Sequence, residues 1–192
     1  MKKLLFGLIA FIGVASLSSC GYNSGVKLDE QVKAQWGEVE NQYQRRNDLV
    51  GNLVSTVKGA ANFEKETLTQ VIEARAKATS VQIDPSKLSP EAIEKFQASQ
   101  GQLSQALGRL MVVSEQYPDL KANQNFLELQ AQLEGTENRI AVARRDFNQS
   151  VQAFNTHIRS FPNNIFAGMF GFETKGSFAA DPGANKAPTV EF

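Results

Sequence analysis

His157 and Cys20 are the only histidine and the only cysteine of the chain, so most familiar chemistry would have to pass through one of them. A zinc or di-iron site in a helical bundle needs histidines and carboxylates spaced i, i+3 or i+4. His157 has Phe154 and Phe161 beside it and no acid three or four residues away, which is the setting of a residue at the edge of a core. A serine–histidine pair would depend on the same ring, and no G-x-S-x-G strand–turn–helix context accompanies it. Gly168, Gly171 and Gly176 fit neither the phosphate loop nor the dinucleotide fingerprint. Glu134 and Glu137 stand three apart as paired carboxylates would, but in so charge-rich a segment they read as a solvated face. The expectation is therefore no enzyme: no catalytic residue, no metal, no cofactor and no small-molecule substrate.

Cys20 points to a different chemistry. Met1-Lys2-Lys3 is a short basic start, Leu4 to Val14 an apolar run broken by glycines, and Ala15 to Ser19 small and weakly polar. This is the plan of a secretory signal peptide, too short for a membrane span. Its end, Leu17-Ser18-Ser19-Cys20-Gly21, resembles the bacterial lipobox, in which a cysteine thiol is alkylated with diacylglycerol and the chain is cut just before it. The competing reading is an ordinary cleaved signal with an incidental cysteine; that the chain's single cysteine falls at this spot favours acylation. Buried acyl chains contribute about 0.8 kcal/mol per CH₂, so two or three of them hold a protein on a bilayer. Residues 1–19 are thus expected to be a lipoprotein signal. Residues 20–26 are expected to form a flexible tether to the membrane, with palmitate-type acylation at Cys20. Gly21 stands where a retention signal for the inner membrane would have Asp, which favours the periplasmic side of the outer membrane.

Twenty basic side chains face twenty acidic ones, and loss of the first nineteen residues removes only Lys2 and Lys3. No general charge draws the chain to nucleic acid.

The elements that carry these residues follow from periodicity. From Phe126, every seventh residue is large and apolar: Leu133, Ile140, Phe147, Phe154 and Phe161. With Leu129, Thr136, Ala143, Val151 and Ile158 they form the stripe of a long helix that lies along its partners in the manner of a coiled coil. A first helix is expected from about Lys27, with Val32, Trp36, Val39, Tyr43, Val50, Leu53 and Val57 inward. Arg46 falls on that stripe. It either snorkels from the stripe's edge, the favoured reading, or is buried and paired, with Glu137 the candidate partner. Gly51 and Gly59 weaken the helix, so a bend near Gly51 or a break at 59–62 would turn three long helices into four.

Ser89-Pro90-Glu91 is a cap, a first-turn proline and an early acid, and starts the middle helix. Pro118 stops that helix, and Asn123 caps the next, antiparallel one. Asn163 to Phe172 is short, apolar and glycine-broken. It is expected to fold back and close the bundle end rather than dip into the membrane interface, because no Lys or Arg flanks it until Lys175. From Ala179 onward small residues, proline and glycine predict a disordered tail. The fold class is all-α: an antiparallel bundle over residues 27–178. Arg45, Arg46 and Asp48 on the first helix and Glu137, Asn138, Arg139, Arg144 and Arg145 on the last are its noteworthy polar residues, read as surface pairing or as contacts for a partner.

Several of these stretches resemble the LemA family. They are Gln42-Tyr43-Gln44-Arg45-Arg46-Asn47-Asp48-Leu49 with Asn52-Leu53-Val54 and Thr56-Val57-Lys58-Gly59, then Tyr117-Pro118-Asp119-Leu120-Lys121-Ala122-Asn123. Next come Thr136-Glu137-Asn138-Arg139-Ile140-Ala141 with Ala143-Arg144-Arg145, and finally Phe161-Pro162, Gly171-Phe172 and Phe178, all in the family's order. The resemblance implies a bundle of long helices held at a bacterial membrane, and brings no catalytic site with it. Gly51 stands where the family often has proline, and an acylated cysteine replaces the family's common transmembrane helix. The function expected is a lipid-anchored cell-envelope scaffold or adaptor, offering its helices to a protein partner or to self-association. An envelope enzyme using Arg and Glu, or a self-assembling membrane-shaping protein, are the alternatives.

Overall fold

The computed structural model describes residues 2–59 and 63–180, with side chains described from residue 21 onward. Residue 1, the side chains of the expected signal segment and of Cys20, residues 60–62 and the tail from 181 lie outside those descriptions.

Among the described residues the chain is helical without strands: α1 (Lys2–Lys58), α2 (Lys65–Ser80), α3 (Pro90–Ser114), α4 (Pro118–Lys121), α5 (Gln124–Arg159) and α6 (Asn163–Phe166). The caps are the local reason for these limits. Ser89 Oγ accepts from Ala92 N at 3.2 Å at the head of α3. Asn123 Oδ1 accepts from Asn125 N and Phe126 N at 3.0 and 3.3 Å at the head of α5. Each satisfies donors that the first turn of a helix leaves unpaired.

α1 rises, α2 returns, and α3 and α5 complete an antiparallel bundle; α4 is the turn between α3 and α5. α1 ends at Lys58 with Gly59 in a turn, so the first long helix does split, giving four long helices. The helix runs unbroken through Gly51. A Cβ there would lie 3.1 Å from Arg75 Nη2, and Arg75 Nε donates to the Asn47 carbonyl at 2.8 Å. The glycine makes room for an arginine of α2 laid across α1.

The interior has two apolar halves. The distal half gathers Val50, Leu53, Val57, Val71, Leu103, Leu110 and Phe126. The proximal half gathers Val32, Trp36, Val39, Phe96, Phe147 and Phe154, and also takes Phe178 from beyond the helices. Burying each large apolar side chain contributes about 1.5–3 kcal/mol. Of the seven-residue series on α5, all but Phe161 are buried. Phe161 is exposed because α5 ends at Arg159, and the helical period stops placing side chains there.

Residues 173–180 run as an extended strap between α3 and α5. Asn155 exchanges two hydrogen bonds with the Lys175 backbone, Asn148 two with the Phe178 backbone, and Gln97 two with Ala179. Ala179, expected to begin the tail, is thus tied down on both its backbone groups. Gly176 N donates to the Leu88 carbonyl at 2.9 Å, and a Cβ at 176 would come 2.6 Å from Pro90 Cα. Gly176→Ala should therefore cost about 1–3 kcal/mol, because backbone on both sides must shift. Gly101→Ala, on the exposed face of α3 with nothing within 4 Å, should instead stabilise by up to about 1 kcal/mol. Urea unfolding of the two variants checks the opposite signs.

Candidate functional site

Between the two apolar halves lies a polar layer. Arg46 of α1 is 1% exposed, so it does not snorkel to water as favoured from the sequence; the buried, paired alternative holds. Its Nη1 donates to Glu137 Oε1 of α5 and to Ser104 Oγ of α3, both at 3.1 Å. Its Nη2 donates to the Gln100 carbonyl at 3.3 Å and to Gln100 Oε1. Gln100 Nε2 in turn donates to the Ala78 carbonyl of α2 at 3.2 Å, and the guanidinium lies 4.9 Å from the Tyr43 ring centre. One side chain thus engages α3 and α5 directly, and α2 through Gln100. Arg46 is buried because it stands at an inward position of α1, where neighbouring helices present enough acceptors to replace most of its water. Its Nε has no hydrogen-bond acceptor, so the layer is better suited to fixing helix register than to maximising stability.

The other polar candidates divide. Glu137 meets Arg46 from a half-exposed position, its side chain 46% accessible. Arg144 donates to the Ala179 carbonyl at 2.9 Å and covers the Phe178 ring at 5.0 Å, which ties the strap to α5. Arg45, Asp48, Asn138, Arg139 and Arg145 lie on exposed faces. There Asp48 accepts from Gln44, and Arg145 pairs with its neighbour Asp146 at 2.9 Å. Gln100 is not among the polar residues noted from the sequence, yet it links Arg46 to α2. A polar side chain at an inward position of α3 and a charge at an inward position of α1 were the available signal.

At the opposite end of α5 the bundle meets the start of α1. Residues 21–26, expected to be a flexible tether, are helical and packed. His157 Nε2 donates to the Gly21 carbonyl at 2.9 Å, and Asn163 Nδ2 donates to the His157 carbonyl at 3.3 Å. Tyr22 packs on Phe170 and Phe172 with ring centres 4.9 and 5.9 Å away. These contacts supply the tertiary support that the sequence Tyr22-Asn23-Ser24-Gly25-Val26 lacks by itself. His157 is half-buried, at the edge of the core.

Just above, Asp29 accepts from Lys175 and Lys33, each at 2.8 Å, and the Lys175 ammonium stands 5.1 Å from the Phe154 ring centre. Burial alone would raise the Asp29 carboxyl, but hydrogen bonds and charge from Lys175 and Lys33 outweigh it and hold it below its ordinary value. A depressed carboxylate stabilises the fold above the unfolded value, near pH 4, and that contribution is lost as pH falls through the folded one. Asp29→Asn should lower stability by about 1 kcal/mol at pH 7, with the difference from the parent closing once the pH is brought below the carboxyl's lowered folded value. Thermal unfolding at pH 7 and below that value reads it.

Among the described residues no three of His, Cys, Asp and Glu gather closely enough to hold a metal ion, and no helix is long and apolar enough to cross a membrane.

The pattern of the LemA family matches residues 35–192. Over 207 residues, covering 97% of this chain and 73% of the relative, the chain is 27% identical to magnetosome protein MamQ 2 of Paramagnetospirillum magneticum. It has the same identity and coverage with magnetosome protein MamQ of Magnetospirillum gryphiswaldense. Protein LemA of Metamycoplasma hominis is 30% identical over 123 residues, which span 64% of this chain and 52% of that protein.

Proposed function

The chain belongs to the LemA family, and on that footing we propose that it is a membrane-attached, non-catalytic scaffold of the bacterial cell envelope. The observation that carries the reading is the division of labour among its charges. Arg46, the buried one, is spent on joining the helices, while Arg45, Asp48, Asn138, Arg139 and Arg145 stand on exposed faces of α1 and α5 where a partner can meet them. Attachment is through acylated Cys20 at the periplasmic face of the outer membrane, and the long helices present a surface to a protein partner or to further copies. The lipobox-like Leu17-Ser18-Ser19-Cys20 supports the anchor.

Two experiments test the reading. Cys20→Ala is expected to abolish incorporation of labelled palmitate in growing cells; continued labelling removes the anchor as proposed. Crosslinking in intact cells, followed by recovery of the bundle, is expected to yield a specific partner or an oligomer through the exposed face of α1 and α5. Recovery of neither overturns the scaffold role.

A further inference from the structure

The end of the bundle at which α1 enters carries its densest exposed apolar surface. Phe161, Ile165 and Met169 are 81%, 57% and 79% exposed, with Phe170 and Tyr22 beside them. Elsewhere the exposed large apolar residues are scattered singly, with Val112 on α3 and Leu127 and Val142 fifteen residues apart on α5. Single exposed residues of that kind are ordinary, whereas a contiguous cluster marks a contact surface. Here Phe161, Ile165, Phe170 and Tyr22 line a groove of about 290 Å³, Met169 is next to Phe170 in the chain, and none of the residues lining the groove is Asp, Glu, Lys or Arg.

The exposure does not come from a detached segment. Phe172 packs against Phe154 with ring centres 5.9 Å apart, and Asn163 is bonded to the last turn of α5. The segment therefore closes the bundle with one face, as expected, and holds its other face outward.

We propose that this outward face seats in the interfacial layer of a lipid bilayer, as a second membrane contact beside the N-terminal attachment. Position selects the occupant. Gly21 is part of the groove wall, and α1 continues without interruption back to the apolar run that ends at Val14. Seven residues of helix span about 10 Å. Whether the leader stays in lipid or acyl chains on Cys20 replace it, lipid enters next to the groove. Aromatic and long aliphatic side chains without carboxylates suit that layer, and Tyr22 supplies a ring with a polar tip. The inference rests on attachment at this end of the chain, the premise of the proposed function.

Trp36, the only tryptophan, is fully buried, so an indole can be placed at the surface and read against it. The full-length chain carrying Met169→Trp is reconstituted into phosphatidylcholine–phosphatidylglycerol vesicles containing lipid brominated on the upper acyl chain. Val112→Trp, at a 71% exposed position near the distal end of α3, serves as the comparison. Both substitutions are at exposed side chains and leave the core intact. The expected result is co-flotation of both variants, with the Met169→Trp emission blue-shifted and largely quenched, and the Val112→Trp and parent emissions unchanged. Co-flotation without quenching at position 169 overturns the docking surface while leaving the attachment standing. A blue shift at position 169 that depends on protein concentration and not on bromine overturns it in favour of pairing between copies. Failure of the parent chain to float removes the attachment and the inference together.

Discussion

Arg46→Ala is expected to lower the unfolding free energy by about 3–5 kcal/mol, read as a fall in the urea midpoint at unchanged slope. The loss has separable parts. Gln100 is buried with its Oε1 turned to the guanidinium, and stripping a buried polar group of its partner costs about 1–3 kcal/mol. The arginine stem also fills space between Tyr43 and the facing helices, and its removal leaves a cavity in a packed layer. Glu137 adds less, since its half-exposed carboxylate regains water. Glu137→Gln should accordingly cost about 1–3 kcal/mol, chiefly by leaving the buried cation with neutral acceptors. A double-mutant cycle should return a coupling of about 1–2 kcal/mol between the two positions; a coupling near zero would show that Arg46 matters for its volume alone. The register role has its own readout. Replacing Arg46 with Met, and Gln100 and Glu137 with Leu, should leave the melting temperature at or above the parent value and yet multiply amide resonances, because nothing polar then distinguishes one helix alignment from another.

Phe178→Ala is the second large effect, expected at about 3–5 kcal/mol. The ring stacks on Trp36 with centres 6.2 Å apart and meets Phe147 and Phe96 edge-on at 5.6 and 6.3 Å. It also anchors the strap, whose other ties are polar: hydrogen bonds from Asn148, Asn155, Gln97 and Arg144, the Gly176 bond to Leu88 and the Lys175 pair with Asp29. With the ring gone, those bonds compete with water, and amide exchange across 173–180 should accelerate well before the helices lose protection. Uniform loss of protection over strap and helices would instead show that the proximal core and the strap unfold as one unit.

The helices were legible because their causes are local. Ser89, Pro118 and Asn123 mark ends by capping and by the loss of a backbone donor, and the stripe from Phe126 to Phe154 names an inward face without reference to any partner. What escaped the sequence depends on distant residues. Arg46 is inward only because Gln100 and Glu137, 54 and 91 residues away, come to it, and edge or core cannot be told from one helix alone. Residues 21–26 read as a tether because glycine, serine and asparagine disfavour an isolated helix; contacts from Tyr22, His157 and Asn163 override that preference. The strap has no period to read, and its single strong hint was a lone Phe178 among small residues. Phe161 continued a numerical series past the point where the helix that gave the series meaning had stopped.

The unbroken passage of α1 through residues 21–26 has a mechanical consequence. From Gly21 to Lys58 the rod is about 55 Å long, and its base has no swivel. A molecule held at that base cannot sweep a hemisphere as a ball on a string would; it stands at a set height and tilt. The α4 corner is therefore carried at one altitude above whatever holds the base. Anything that engages the far end must span that gap by its own length.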